Sequence, residues 1–142
     1  MKWHSEYDSI LHIINKKTGE PHPMSRKIKS KGYICFHYPN AYEENGHIIM
    51  DATASWKQEN VDYTIERLRS PDLMKEWLEK NDKTNDAVRF CFPVDVQPGS
   101  KSGCNLNTMT NASATMQEDG TMWLEVNTCD SLNYITIRSY VL

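Results

Sequence analysis

Short runs of alternating apolar and polar residues, separated by turn-forming residues, cover most of this chain. Their apolar positions are rich in β-branched and aromatic side chains, which favour strands. Asp119-Gly120 is the strongest hairpin-turn signal in the sequence, and Gly19 can adopt the positive φ of a tight turn. The pattern therefore predicts strands joined in consecutive hairpins. The predicted strands span residues 9–15, 32–39, 47–55, 88–96, 112–117, 121–126 and 132–142, with a weaker strand before Pro21.

Between residues 60 and 81 the spacing of the apolar residues changes from two to about 3.6, the period of an amphipathic helix. Ser70 can cap a helix, Pro71 suits the first helical position, and Asp72 is favourable at the positive end of the helix dipole. The segment therefore predicts one helix broken at Ser70, or two short helices, packed on a sheet. The apolar positions are Val61, Ile65, Leu68, Leu73, Met74, Trp77 and Leu78.

Many short strands with one helical insertion predict an all-β fold, either a sandwich, a barrel or a propeller. A chain of 142 residues has the size of a single domain, which we assign to residues 1–142. The sequence contains no internal repeat of fixed period, so repetition gives no support to a propeller. The choice among the three architectures stays open at this level.

Charge and composition narrow the classes of function. The net charge is −3 and Lys and Arg form no dense run, which argues against a nucleic-acid groove. No apolar run approaches the roughly 20 residues of a membrane-spanning helix. Residues 1–10 lack the apolar segment of a secretory signal, so we expect a cytoplasmic protein. The wide spacing of Cys35, Cys91, Cys104 and Cys129 favours reduced thiols over a disulfide framework or a zinc site.

The histidines raise the question of a metal site. No pair has the H-E-x-x-H spacing of a metal motif, although His12 and His37 lie on predicted strands that could converge. His37 ends an apolar strand among aromatic and carboxylate residues, so it is either a half-buried hairpin histidine or a metal ligand. His47 follows Asn45-Gly46 at the start of a strand, where an exposed imidazole is expected. Residue types and spacing leave both interpretations of His37 open.

The segment from Phe36 to Asp51, FHYPNAYEENGHIIMD, resembles a motif of the carotenoid cleavage oxygenase family, particularly its animal carotene oxygenases and retinoid isomerohydrolase. The matching positions are Phe36, His37, Asn40, Ala41, Tyr42, Glu43 and Asp51. Residues 88–96 and 105–125 resemble later parts of the family sequence in the same order. The resemblance therefore covers most of residues 2–125.

This resemblance implies a fragment of a seven-bladed β-propeller, with about two blades in this chain and a divergent tail at 126–142. Four histidines on the axis of that fold hold a non-haem iron(II). The motif histidine is one of them, so the resemblance implies Fe(II) as cofactor and His37 as a metal ligand. It implies no catalytic residue and no other cofactor-binding residue within the chain. The remaining histidines, His4, His12, His22 and His47, match no ligand motif.

The implied substrates are an apolar polyene, either a carotenoid or a retinoid, and dioxygen, which together yield two carbonyl fragments. With one iron ligand of four, the isolated chain is expected to be inactive. The alternatives are a catalytically incomplete or lipid-binding remnant, and an isomerohydrolase that acts on a membrane-derived retinoid ester. The resemblance also implies peripheral membrane contact in the full-length family. Uncovered sheet edges in a fragment predict marginal stability and self-association.

Overall fold

The computed structural model describes residues 4–57, 64–80 and 86–126 of the chain. Strands precede and follow a pair of helices. The strands are β1 (Ser9–Leu11), β2 (Ile28–Ser30), β3 (Ile34–Cys35), β4 (Asn40–Glu44), β5 (His47–Ser55), β6 (Asp86–Pro93), β7 (Ser113–Met116) and β8 (Met122–Glu125), and the helices are α1 (Ile65–Arg69) and α2 (Pro71–Lys80).

Within the described residues the strands form two sheets. The first has the order β1-β2-β8-β7, with β2 and β8 parallel and the other neighbours antiparallel. In the second, β4 and β3 pair with one edge of β5, at its beginning and its end, and β6 pairs with the other edge. The described fold is therefore mostly β with two short helices, which confirms the all-β prediction. Neither sheet closes on itself over these residues.

Side chains from both sheets form one hydrophobic core. Because side chains alternate along a strand, residues paired across two strands share a face. Ala52 pairs with Val88 and Met50 pairs with Phe90, so one face of β5 and β6 meets the first sheet. The buried members of this core are Met24, Ile28, Ala52, Ala54, Val88, Phe90, Phe92, Val96, Ala114, Met116, Met122 and Leu124. The opposite face of β5 carries Ile49 and Asp51, which are buried outside this core.

The helical segment divides at Ser70, as the sequence predicts. Ser70 ends α1, and its hydroxyl accepts a hydrogen bond of 3.4 Å from the backbone N–H of Leu73 in the first turn of α2. Trp77 is the buried residue of α2, whereas apolar residues expected to pack on a sheet are exposed. These exposed residues are Ile65, Leu68, Leu73 and Leu78. Within the described ranges, neither helix has the length and apolar character needed to cross a bilayer.

One predicted hairpin is confirmed and another is confirmed in part. β5 has the predicted bounds and follows the predicted turn at Asn45-Gly46, both of which have positive φ. Its partner across that turn is β4, whose residues were expected to belong to the turn and not to a strand. β7 joins β8 around Asp119-Gly120, where the Asp119 carboxylate accepts a 2.9 Å hydrogen bond from the backbone N–H of Thr121. β6 lies on the edge of its sheet, one of the two positions predicted from Pro93, but it ends at Pro93 and not at residue 96.

The predicted first hairpin is smaller than expected. Its turn forms, with Asn15 capping it and a single bridge from Ile14 to Pro21, but no second strand follows. Pro21 and Pro23 lack backbone N–H groups, so this segment cannot continue a ladder. β1 pairs instead with β2, which the sequence pattern did not predict. The predicted strand at 132–142 lies outside the described residues.

Candidate functional site

The strand predicted at 32–39 is interrupted, and the interruption contains His37. β3 ends at Cys35, opposite Ala54, and β4 begins at Asn40, opposite Asp51. Four residues, 36–39, therefore lie opposite two residues of β5, 52–53, which defines a bulge with two extra residues. Pro39 removes one ladder donor within it. Bulges of this kind re-aim side chains beside functional sites.

His37 is exposed within this bulge (residues 36–39), and its backbone is held firmly. Its carbonyl oxygen accepts hydrogen bonds from the backbone N–H of Thr53 at 3.0 Å and from the thiol of Cys35 at 3.0 Å. The Thr53 hydroxyl is a third donor to the same oxygen, at 3.4 Å. No described side chain makes a hydrogen bond to the imidazole. The structure thus combines a fixed main chain with an accessible ring.

A row of three polar side chains crosses the sheet next to the bulge. Asn40, Asp51 and Arg89 lie in register on β4, β5 and β6. The Arg89 guanidinium donates to both oxygens of Asp51, at 2.7 Å and 2.9 Å, and the Asn40 amide donates to one of them at 3.2 Å. Burial acts to raise the pKa of Asp51, but these hydrogen bonds and the guanidinium charge outweigh it and hold that pKa below its ordinary value. The row therefore fixes where β4 begins.

Aromatic side chains attach the bulge to the core. The hydroxyls of Tyr33 and Tyr38 lie 3.2 Å apart, and the Tyr33 ring stacks on Phe90 with a centroid distance of 5.5 Å. The rings of Trp56 and Tyr33 pack edge to face, with their centroids 5.7 Å apart. Burial, and then the hydrogen bond with Tyr38, raises the pKa of Tyr33 far above its ordinary value. Phe36, in contrast, is exposed beside His37.

A polar loop at residues 105–112, here called the asparagine loop, covers the outer face of β5 and β6. Asn107 is buried and organises it: its amide donates to Thr110 and to the Ala112 carbonyl, both at 2.8 Å, and its side-chain oxygen accepts from two backbone N–H groups. Beneath the loop Cys91 is buried and its thiol is hydrogen-bonded to Thr110. Burial raises the pKa of the Cys91 thiol.

The asparagine loop also explains why the expectation for His47 is wrong. The sequence predicts an exposed imidazole, whereas His47 is 8% exposed. Its Nδ1 lies 3.0 Å from the carbonyl oxygen of Asn45 and its Nε2 lies 3.4 Å from the hydroxyl of Thr108. The covering loop comes from a part of the chain about 60 residues away, so the local pattern gave no sign of it.

The remaining histidines do not join His37. His4 lies 2.8 Å from the Glu6 carboxylate, His22 accepts a hydrogen bond from the Met24 backbone, and His12 is exposed. Over residues 4–57, 64–80 and 86–126, no group of three His, Cys, Asp or Glu side chains could hold a metal ion. Cys35, Cys91 and Cys104 are free thiols, as predicted, and Cys129 lies outside the described residues.

Sequence reasoning missed the residues that hold the bulge. Arg89 had a signal, because it belongs to the segment at 88–96 that resembles the carotenoid oxygenases. The sequence around Thr53 and Tyr33 gave no indication of their roles. Each acts through a hydrogen bond, to His37 and to Tyr38 respectively, that forms only when the chain folds. Asn40 and Asp51 were identified as motif positions, and the structure adds that they are hydrogen-bonded to each other.

Comparison with known proteins gives a consistent result. A family model described as retinal pigment epithelial membrane protein matches residues 1–133. The chain is 28% identical over 126 residues to the mitochondrial carotenoid-cleaving dioxygenase of Homo sapiens, covering 87% of this chain and 21% of that protein. It is 30% identical over 129 residues to the beta,beta-carotene 15,15'-dioxygenase of Homo sapiens, covering 88% of this chain and 22% of that protein. The chain spans about a fifth of the length of the curated relatives it matches.

These relatives contradict the cytoplasmic location expected from the sequence. The carotenoid-cleaving dioxygenases of Homo sapiens, Pongo abelii and Macaca fascicularis are named as mitochondrial. The expectation rested on the lack of an apolar secretory segment. Mitochondrial transit peptides are amphipathic and rich in Arg and Ser, so that observation had no bearing on them.

Proposed function

Because the chain belongs to the retinal pigment epithelial membrane protein and carotenoid oxygenase family, we propose that it is a segment of an iron(II)-dependent dioxygenase that cleaves a double bond of a polyene. The named activities of the human relatives, cleavage of carotenoids and of beta,beta-carotene, support the substrate class. Dioxygen is the second substrate. Because the chain spans about a fifth of these relatives, the activity belongs to the longer protein.

The exposed imidazole of His37, on a backbone that three hydrogen bonds hold, carries the proposal. Imidazole nitrogen suits iron(II). Since no described side chain is hydrogen-bonded to this ring, a metal could bind it without breaking such a bond. The bulge sets the direction from which the ring is presented, and the row of Asn40, Asp51 and Arg89 sets where the bulge ends.

The donor chemistry of His37 fits iron(II) as one ligand of a larger set. Among the described residues no further groups complete such a set, so we assign the remaining ligands to regions of the longer protein that this chain does not span. Bound iron would supply the activation of dioxygen. The residues of this chain would hold one ligand in place and present the apolar side chain of Phe36 beside it.

A graft tests the proposal in a complete protein. Residues 1–126 would replace the matching segment of human beta,beta-carotene 15,15'-dioxygenase, and bound iron and beta,beta-carotene cleavage would be measured. We expect His37→Ala to lower iron affinity and cleavage by at least about 100-fold, because loss of a residue that only supports a metal ligand already costs about 10–100-fold. His12→Ala is the matched control, because His12 is also exposed, and it should change neither quantity.

Two results would contradict the proposal: iron and cleavage retained in the His37→Ala graft, or an equal loss in the His12→Ala graft. The iron content of the isolated chain provides a second test. Expressed anaerobically with iron(II), it should hold well below one iron per chain, because a single imidazole binds weakly. Stoichiometric iron that disappears in His37→Ala would mean that copies of the chain complete the site by associating.

A further inference from the structure

Tyr38, the residue that follows His37 in the bulge, has its hydroxyl hydrogen-bonded to the hydroxyl of Tyr33. Their oxygens lie 3.2 Å apart. Tyr38 is 53% exposed. Tyr33 is half-buried, with its ring stacked on Phe90 and packed edge to face with Trp56. The pair therefore joins an exposed phenol of the bulge to a phenol that aromatic side chains shield.

We propose that Tyr38 and Tyr33 form a hydrogen-atom relay that reduces organic peroxyl radicals formed at the His37 site. The inference rests on the proposed function, because a polyene handled together with dioxygen is the source of such radicals. Phenols are the class of compound that stops peroxyl chains, since they donate a hydrogen atom and leave a delocalised phenoxyl radical.

The relay has two balanced steps. First, the O–H bond of Tyr38 breaks, and its proton and one electron pass to the terminal oxygen of the peroxyl radical, which becomes a hydroperoxide. Second, the O–H bond of Tyr33 breaks, and its hydrogen atom crosses the 3.2 Å contact to restore the O–H bond of Tyr38. The peroxyl radical is thus reduced by one electron, and Tyr33 is oxidised by one.

The surroundings of Tyr33 suit it as the final holder of the radical. Burial, and then the bond to Tyr38, raises the pKa of Tyr33, so this phenol keeps its hydrogen atom even in alkaline solution. Stacking on Phe90 limits coupling with a second radical. Lys31 Nζ lies 5.5 Å from the Trp56 ring, and its positive charge disfavours an indole radical cation. The radical should therefore stay on Tyr33.

The Cys35 thiol is the competing hydrogen donor. Its sulfur lies 3.0 Å from the carbonyl oxygen of His37, and it also interacts with the Tyr38 hydroxyl. A radical that moved to Cys35 would consume the thiol and leave Tyr33 unoxidised. The experiment must therefore follow both residues.

The test uses the full 142-residue chain without iron. Peroxyl radicals would be generated in air from a water-soluble azo initiator, and freeze-quenched samples would be examined by electron paramagnetic resonance and by peptide mass spectrometry. In the unmodified chain we expect a persistent phenoxyl signal and oxidation at Tyr33. In Tyr33→Phe, which keeps the stacked ring, the radical should decay several-fold faster and oxidation should move to Tyr38. Tyr42→Phe, at a surface tyrosine, is the matched control and should behave like the unmodified chain.

An unchanged signal and lifetime in Tyr33→Phe would overturn the relay, and so would loss of the Cys35 thiol without oxidation of Tyr33. Circular dichroism of each variant would verify that the fold is retained. Because no iron is present, failure of this experiment would leave the graft experiment on His37 untouched. Failure of the graft would in turn remove only the proposed source of the peroxyl radicals.

Discussion

Substitution of Arg89, in the polar row beside the bulge, should lower the stability of the fold by an amount that depends on pH. The Asp51 side chain is 6% exposed and that of Arg89 is 36% exposed. Arg89→Met would remove the positive charge and both hydrogen bonds while keeping most of the apolar stem. The Asp51 carboxylate would then stay buried with Asn40 as its remaining side-chain donor among those described.

The cost should be large for a single substitution. Removing one partner of a buried pair costs about 3–5 kcal/mol, and the partial exposure of Arg89 to solvent places this pair near the lower end, at about 3 kcal/mol of unfolding free energy near neutral pH. Asp51→Asn should cost less, about 1–2 kcal/mol. Its amide keeps the shape of the carboxylate and one acceptor oxygen, and the guanidinium left behind is partly in water.

Acid should change the stability of the unmodified chain and of Arg89→Met in opposite directions. In the unmodified chain the pKa of folded Asp51 lies below its ordinary value of 3.8, so the stabilisation is present above that value and is lost as pH falls through the folded pKa. In Arg89→Met burial remains and the guanidinium does not, so the pKa of folded Asp51 should rise above its ordinary value. The variant should therefore gain stability as pH falls from neutral towards the unfolded pKa.

Urea unfolding followed by tryptophan fluorescence would measure this, at about pH 7 and about pH 4.5. The difference between the unmodified chain and Arg89→Met should be larger near neutral pH, and Asp51→Asn should show little of this change. The reasoning would be refuted if the loss of unfolding free energy in Arg89→Met were the same at both pH values. It would also be refuted if that loss were smaller than the loss in Asp51→Asn.

Two further predictions concern the framework around the site. Gly32→Ala should destabilise the fold by about 2–3 kcal/mol in thermal unfolding, because its Cβ would overlap a backbone carbonyl oxygen. Gly46→Ala should cost only about 1–2 kcal/mol, since Gly46 has a positive φ but open space around it, and an equal cost at both positions would contradict the predicted overlap. Asn107→Ala should cost about 2–3 kcal/mol and speed maleimide labelling of Cys91, read by mass spectrometry, because the loop over that thiol loses its internal bonds. Unchanged labelling would mean that Asn107 does not hold the loop closed.

The parts of the fold that could be predicted from sequence are those that local chemistry specifies. β5 was predictable because a turn with two positive-φ residues precedes nine residues of strand-forming type. The division at Ser70 was predictable because capping and proline geometry act within one helical turn. β2 was not, since its three residues, Ile28–Ser30, lie between β1 and β8, and β8 is about 90 residues further along the chain.

The candidate site likewise has features that the sequence could predict and features that depend on the fold. His37, Asn40 and Asp51 could be selected because they lie together in one short motif. The bulge could not, because its length depends on how β5 pairs with two different strands. The burial of His47 depends on the asparagine loop, and the pairing of Tyr33 with Tyr38 depends on the chain folding back across the bulge.

The bulge holds two extra residues rather than one, so the strands on either side of it keep the same alternation of faces. Cys35 and Ala41 both lie on the face that carries Ala54 and Met50. An odd insertion that shifted the register of one of those strands by one residue would exchange its inner and outer side chains. Insertions or deletions of two residues would leave both strands in place. Over evolution, the segment that presents His37 could therefore change length in steps of two without any change to the sheet that supports it.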